Sequence, residues 1–411
     1  MPPIELTIPT KFKNSKTTFD GIVCIGGEDW WYHNRGHFDF QIMRRLAQRW
    51  PVLFVNSLGV RMPSIKDNRL FMQRIGRKLK SLGNGLVNIE NQFWVFSPVM
   101  VPGATGQKLS SWALAPQIRL AAAHAGIRNP VLWIHCPAGA PLAGSYAAAA
   151  TVLQRTDRFE AFPEGDPTVL AAQLAHLKSH ADLVIYANPA LMESEAGTIK
   201  SQALVTHGVD LDKFVDAGAV ANSDPLDVAF IKRPRVGFIG GIDAHTFDID
   251  LFLAVARAMP GHQFVMVGGC SLPDGWCGLP NVHFTGRKPY EEIAGYMAAM
   301  DALIMPWNRS EWIKGCNPIK LKEYLAVGRP VITTDFPALE PWRDLVHVAA
   351  DATGFVNVIQ LALTQPSQAR PDVLRRLTVE TWDAKADDVR RAIFGLGLSF
   401  AQATVQRTQT A

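Results

Sequence analysis

The chain has 411 residues, 48% hydrophobic and 19% charged. It is too long for one small core and too apolar for a disordered segment, so it reads as a soluble globular protein of two domains or one elaborated one. Net charge is only +4, yet residues 1–100 carry 14 Lys and Arg against 7 Asp and Glu. Five scattered cysteines, Cys24, Cys136, Cys270, Cys277 and Cys316, show no CxxC spacing and no histidine cluster, which argues against zinc and a disulfide framework and fits a reducing cytosol.

The opening MPPIELTIPTKFKNSK has no apolar core and is not a secretory signal. Gly21 to Gly27, GIVCIGG, is an apolar run ending in two glycines, as expected of the first parallel strand and turn of a doubly wound sheet. A helix is predicted from about Phe38, and PVLFVN, Pro51 to Asn56, gives the second strand. Between Arg61 and Lys80 seven basic residues meet one acid, Asp67, while Leu70, Phe71, Ile75 and Leu79 recur near helical spacing. Arg69, Arg74, Arg77, Lys78 and Lys80 surround that stripe, the pattern of a helix on an anionic membrane surface; a solvated basic helix, or one binding a polyanionic substrate, reads the same way. His135 to Leu153 is uncharged, but Pro137, Gly139, Pro141 and Gly144 make it a loop and a buried alanine-rich helix rather than a membrane span. VLWIH, Val131 to His135, and DLVIY, Asp182 to Tyr186, continue the strand-helix alternation of a Rossmann-like half.

A second cycle opens at Arg235 with RVGFIGG. Phe247 to Met259 is periodic helix, QFVMVGG and VHFTG are strands, Tyr290 to Met300 is helix and ALIMP, Ala302 to Pro306, is strand. The two strand-glycine signals therefore belong to separate Rossmann-like domains, 1–215 and 230–375, joined by a linker near Val209 to Pro234. Val373 to Phe394 reads as two helices broken near Trp382-Asp383, and residues 376–400 are expected as C-terminal helices that return to the first domain. There is no solenoid repeat, and no basic stripe with interleaved aromatics suggests nucleic acid as a partner.

The densest chemistry lies in Asn317 to Thr334, NPIKLKEYLAVGRPVITT. A helix opening at Pro318 leaves free N–H groups and a positive dipole end beside Lys320, with Glu323 one turn later. That arrangement suits a pyrophosphate and a ribose, although an ordinary helix-turn-strand unit has the same outline. Gly328 ends the helix, and Val331 to Thr334 reads as a short parallel strand.

Two such domains facing across a cleft, with a phosphate-binding helix in the second, resemble the GT-B glycosyltransferases. The likeness is carried by THGVDLDKF, Thr206 to Phe214, then VGFIGGID, NVHFTGRKPYEEI and PIKLKEYLAVGRPVITT. DWWYHN and TDRFEAF resemble segments of bacterial surface-polysaccharide enzymes, including exopolysaccharide glucuronosyltransferases. The resemblance implies that Lys320 binds the donor diphosphate, Glu323 accepts from ribose hydroxyls, Gly240 and Gly241 let the chain approach the phosphates, and the backbone at Gly286-Arg287 meets the base. Many retaining members carry another glutamate eight residues before the ribose-binding one; here that position is Gly315, with Glu311 out of register. An inverting enzyme needs a general base, and the resemblance points to Asp157, with Glu160 as the fallback and a helix cap or a partner of Arg155 or Arg158 as the plainer reading. The Tyr-Asp pair often found just upstream is replaced by Leu153-Gln154. His33, Asn34 and His37 follow the first glycine turn at the carboxyl end of the sheet, where they would orient acceptor or donor sugar, Asn34 and His37 as sugar contacts and His33 as a candidate catalytic group, although a lone histidine is more often structural. Asp29, Trp30 and Trp31 suit sugar contact.

The expectation is a cytoplasmic glycosyltransferase, peripheral at the inner face of the membrane, moving a sugar from a UDP-linked donor to a lipid-linked or polysaccharide acceptor. Neither a cofactor nor a metal is expected, since no DxD-type pair stands at the diphosphate site. A sugar-nucleotide epimerase of the same fold, or a binding protein that kept it, are the rivals.

Overall fold

Runs of aliphatic and β-branched residues form stable strands when both faces are covered. The computed structural model describes residues 17–32, 35–58, 80–99, 104–161, 166–197, 199–220, 224–364 and 370–401. The chain divides into two units, Met1–Thr206 with Lys385–Ala411, and His207–Ala384.

Unit 1 opens with β1 (Thr18–Phe19), β2 (Ile22–Ile25) and β3 (Val52–Val55), then β4 (Leu86–Glu90), β5 (Phe93–Phe96), β6 (Val131–Ile134), β7 (Ala150–Arg155), β8 (Leu183–Tyr186) and β9 (Gln202–Leu204). Eight of these form one sheet in the order β4-β5-β3-β2-β6-β7-β8-β9. All neighbours run parallel except β4 on β5. β2, β3, β6 and β8 are buried at every position, which is why they were legible as unbroken apolar runs. The chain steps outward from β2 to β3 and later returns to β6 on the other side of β2, so strand order reverses between β2 and β6. Ligands of open α/β sheets bind outside the carboxyl ends at such a reversal.

One expectation in this half is corrected and one element was not foreseen. The alanine-rich segment is no helix: Pro137–Leu142 is a 3-10 turn and Ala150–Arg155 is the fully buried strand β7. Local alanine propensity loses to a sheet position flanked by β6 and β8, where Thr151, Val152 and Leu153 fill the pleat. The hairpin β4–β5 had no counterpart in the sequence reading.

Unit 2 contains β10 (Arg235–Ile239), β11 (Gln263–Val267), β12 (Val282–Gly286), β13 (Ala302–Met305), β14 (Val331–Thr333) and β15 (His347–Val348). They form a wholly parallel sheet, β12-β11-β10-β13-β14-β15, whose order reverses between β10 and β13. The segment expected to be a linker holds the helix Leu211–Ala219, and its Phe214 is fully buried in the core of this unit. Lys322 and Glu380, both buried, pair with each other, and Lys322 also donates to the carbonyl of His207.

After the helix Pro371–Leu377 and a 3-10 turn, the helix Trp382–Gly395 carries the chain back to unit 1, ending in β16 (Ser399–Phe400). β16 pairs with β1 in parallel, and Phe394 and Phe400 lie 5.6 and 6.0 Å from Trp50, ring centre to ring centre. The return of the tail to the first domain is thus as expected. Among the described residues no helix is long and apolar enough to cross a membrane.

Candidate functional site

In unit 2 the reversal point is built from glycines and two cations, Lys320 and Arg287. β10 ends in Gly240, whose φ of 153° is costly for any side chain. A Cβ there would fall on Lys320 Nζ, so the absence of a side chain is what lets the ammonium rest against this turn. Gly268, after β11, has φ 148° and lies so close to the Gly240 carbonyl that it too has no room for a Cβ. A Cβ on Gly269 would stand 2.5 Å from Arg287 Nε. Gly286, at the end of β12, accepts from Gly268 N at 2.9 Å and faces open space. Gly241 sits beside Asp243, which caps the following turn by accepting from the N–H groups of His245 and Thr246. Arg287, the glycine turns and Lys320 are therefore contiguous.

Lys320 belongs to the helix Ile319–Val327, whose N-cap residue, Pro318, has no capping side chain and which ends at Gly328 in the left-handed region. The Tyr324 hydroxyl accepts from Ile239 N at 2.8 Å and pins this helix to β10. Lys320 Nζ lies 4.7 Å from the ring centre of Phe238 and 4.8 Å from that of Trp307. Burial depresses the ammonium below the ordinary lysine range, against the pull of Cys316, Glu323 and Asp243. No ion pair to Lys320 is found among the described residues, so two aromatic faces hold a cation that an anion would stabilise further.

Glu323 is 5% exposed and accepts from the Tyr290 hydroxyl at 3.2 Å. Burial pushes its carboxyl up to about 7, in spite of the Tyr290 hydrogen bond and the charges of Lys213 and Lys320. Trp307 went unnoticed in the sequence. Its backbone exchanges hydrogen bonds with the Thr334 hydroxyl, 3.1 and 2.9 Å, and its buried indole N–H has no partner among the described residues. Gly315 closes the short helix Glu311–Lys314, and Glu311 is an exposed partner of Lys314.

In unit 1 the reversal point is built from acids and a histidine. His135 directly follows β6. Its Nδ1 is 3.1 Å from Asp39 Oδ2 and its Nε2 is 3.1 Å from Thr156 Oγ1. Asp39 lies on the buried face of the helix Phe38–Leu46 and also accepts from Gly27 N at 3.2 Å. A Cβ on Gly27 would stand 2.7 Å from the imidazole, so this glycine is required for the close approach. Burial alone would raise Asp39, but His135 and His37 hold it below the ordinary carboxylate range. Burial alone would lower His135, but Asp39, Asp157 and Glu28 raise it. This pair, 96 residues apart in sequence, was missed. The available signal was an aspartate between two phenylalanines, since a carboxylate on an apolar helix face needs a partner.

Asp157 follows Thr156 at the carboxyl end of β7. Burial pushes its carboxyl above the ordinary range, against His135, Thr156, His37 and Arg155. The buried Arg155 donates to the Asp157 carbonyl at 3.0 Å and pairs with Glu195 at 2.5 Å and Glu160 at 3.2 Å. Tyr186 and Lys178 complete the shell around Glu195, at 2.8 and 2.7 Å. Glu160, the fallback base, is therefore engaged in fixing the loop, and Arg155 is a backbone clamp for Asp157 rather than a partner of its carboxylate.

His37 is exposed at the start of the helix Phe38–Leu46. Trp30 is corrected: at 2% exposure it packs edge-on to Phe40 and against Phe93, so its ring has no face left for a sugar. Asp29 accepts from Ser81 Oγ at 2.7 Å and from Trp31 N at 3.0 Å, within a buried polar cluster that includes Asn56 and Ser97. His33, Asn34, Arg69, Arg74, Arg77 and Lys78 lie outside the described residues; Lys80 is exposed at the start of a helical turn.

Residues 233–365 match the family described as glycosyl transferases group 1. A putative teichuronic acid biosynthesis glycosyltransferase of Bacillus subtilis, TuaH, is 36% identical over 146 residues, 33% of this chain and 34% of that protein, so the match spans about a third of the relative. Sucrose-phosphate synthase of Thermosynechococcus elongatus superimposes with a TM-score of 0.66 at 18% identity, over 91% of this chain and 99% of the other. HepE of Anabaena, solved with UDP and glucose, gives 0.62 at 14% identity over 92% and 99%. An α,α-trehalose 6-phosphate synthase of Burkholderia multivorans gives 0.63 at 13% identity over the same shares. These likenesses show the GT-B fold, two Rossmann-like domains in one chain.

Proposed function

We propose that the protein is a glycosyltransferase that takes a sugar from a UDP-linked donor and delivers it to a lipid-linked or polysaccharide acceptor in bacterial surface-polysaccharide assembly. The observation that carries this reading is Lys320 lying against the Gly240 turn at the reversal point of unit 2, inside the segment that matches the glycosyl transferase family. An ammonium held between two rings beside a helix N-terminus is suited to a diphosphate leaving group, whose charge it stabilises as the glycosidic bond to the donor breaks. Glu323 supplies a buried carboxyl for the ribose hydroxyls. HepE, of the same fold, was solved with UDP, which favours uridine among the nucleotides.

Unit 1 supplies the proton-handling groups. Asp157 accepts the acceptor's hydroxyl proton, its carboxyl raised toward the working range of a base by burial. Arg155 holds the backbone of its loop, and the His135–Asp39 pair sets the local field. The basic residues from Arg61 to Lys80 in the sequence support a location at the inner face of the cytoplasmic membrane, where a lipid-linked acceptor is presented.

The test is calorimetric titration of wild type, Lys320→Ala and Glu323→Ala with UDP, GDP and a set of nucleotide sugars. Binding of uridine compounds that both substitutions weaken is expected. A well-folded wild type that binds no nucleotide sinks the proposal.

A further inference from the structure

One hydroxyl in unit 2 lies within reach of two carboxylates. Tyr290 OH is 3.2 Å from Glu323 Oε1 and 3.4 Å from Asp210 Oδ2. The tyrosine is itself immobilised: it is 7% exposed, Lys213 Nζ sits 3.8 Å from its ring centre, and the same ammonium donates to its backbone carbonyl at 2.6 Å. Asp210 and Lys213 come from the segment around the helix Leu211–Ala219, Tyr290 from the start of the helix Tyr290–Ala298, and Glu323 from the helix Ile319–Val327. Three elements that share no local sequence thus converge on one tyrosine.

We infer that Tyr290, backed by Asp210 and Lys213, is a positioning residue that fixes the Glu323 carboxylate for bidentate recognition of the vicinal hydroxyls of a ribonucleoside. The inference rests on the donor-site reading above and extends it to groups that touch no ligand themselves. A carboxylate on a helix has free rotation about its last torsions, so its two oxygens meet two hydroxyls only if something holds the plane of the group. Tyr290 engages Oε1 from one side. A hydroxyl has a single proton to donate, so with Asp210 also near, the Tyr290–Glu323 bond is sensitive to the protonation of either acid. Lys213 and Lys320, which favour the ionised form, and Asp210, which opposes it, are the charges that act on Glu323.

The experiment compares UDP with 2′-deoxy-UDP and 2′,3′-dideoxy-UDP on the wild type, Tyr290→Phe, Asp210→Asn and Glu323→Gln, across pH 5.5 to 8.5. Expected is a wild-type preference for UDP over the dideoxy compound of about tenfold or more, from two charge-assisted hydrogen bonds. Tyr290→Phe should cut that preference by about fivefold through weaker UDP binding, with dideoxy-UDP affinity unchanged, and should shift the pH midpoint of UDP binding. Asp210→Asn should do the same to a smaller degree. In turnover, donor KM should rise with kcat within about twofold. A Tyr290→Phe variant that weakens all three ligands equally, or none, overturns the positioning role. A wild type that binds UDP but does not distinguish it from dideoxy-UDP overturns the assignment of Glu323 to ribose, and the inference with it. No UDP binding at all defeats the donor-site reading first.

Discussion

Both sheets reverse their strand order beside a double glycine, and in both a side chain from another element occupies the place of a Cβ: His135 over Gly27 in unit 1, Lys320 over Gly240 in unit 2. What surrounds the two side chains differs. His135 is engaged at both ring nitrogens, by Asp39 and Thr156, whereas Lys320 rests on the faces of Phe238 and Trp307. A group that handles protons needs fixed partners at all times, because they set its tautomer and its affinity for the proton. A group that binds an anion must keep its charge uncompensated until the anion arrives, or the bound state gains nothing. On the proposed function, the same backbone device serves both ends.

The sharpest way to break this division is Asp157→Asn. Transfer should fall by about 10²–10⁴-fold, the range of general base catalysis, with UDP affinity unchanged in calorimetry. If turnover persists and His135→Asn abolishes it instead, the base is the His135–Asp39 pair. Next in size is Lys320→Ala, for which a loss of about 10²-fold in kcat/KM is expected from removing one charge at the leaving group; near-normal steady-state kinetics would reject its phosphate role.

The glycines offer a paired comparison. Gly240→Ala should weaken UDP by about tenfold, because the methyl group displaces Lys320, and should cost about 1 kcal/mol or more from the strained φ. Gly27→Ala has no such strain and should act through His135 alone, lowering turnover while leaving UDP binding intact. Thermal melts and titrations of the two variants separate these effects, and a loss of UDP affinity in Gly27→Ala would contradict the assignment of functions to units.

The smallest effect is a pair of opposite pH slopes. Glu323 is raised from 4.5 to about 7, so the folded chain binds more protons than the unfolded one between those values. Its contribution to stability is therefore present at low pH and is lost as pH rises through about 7. Asp39 is lowered from 3.8, so its contribution is present above that value and lost as pH falls below it. Melting temperature against pH for Glu323→Gln should be flatter than wild type between about 4.5 and 7, and for Asp39→Asn flatter at the acid end. A Glu323→Gln curve parallel to wild type across its window removes the buried-carboxyl account.

Much of unit 2 was legible because its signals are local. Lys320, Glu323 and Gly328 fall within one helix and its stop, and the fully parallel sheet gives unbroken apolar strands such as ALIM. Unit 1 was harder for physical reasons. β7 begins with alanine, a strong helix former, and only its neighbours β6 and β8 make it a strand. β4 is half exposed and reads as loop. Trp30 was expected at a sugar because it follows a glycine turn, yet Phe40 and Phe93, which enclose it, come from a helix and a strand that local pattern does not connect to it. The His135–Asp39 pair and the Tyr290–Glu323 bond are long-range contacts between residues whose spacing carries no period. Trp307 sits where a strand ends, and nothing in ALIMPW distinguishes a ring that carries an ammonium from one that fills a core.

The pairing of β1 with β16 brings the first and last described strands of the chain side by side, with unit 2 inserted in the sequence between them. During synthesis, then, the contiguous unit finishes first. His207 to Ala384 leaves the ribosome complete, while Phe19 and Trp50 wait, their aromatic faces bare, for Phe394 and Phe400 to emerge. A chain cut short before Phe394 would therefore be released with unit 2 finished and unit 1 open, sticky at one known patch. Quality control by proteases or chaperones has a defined feature to read in such a product.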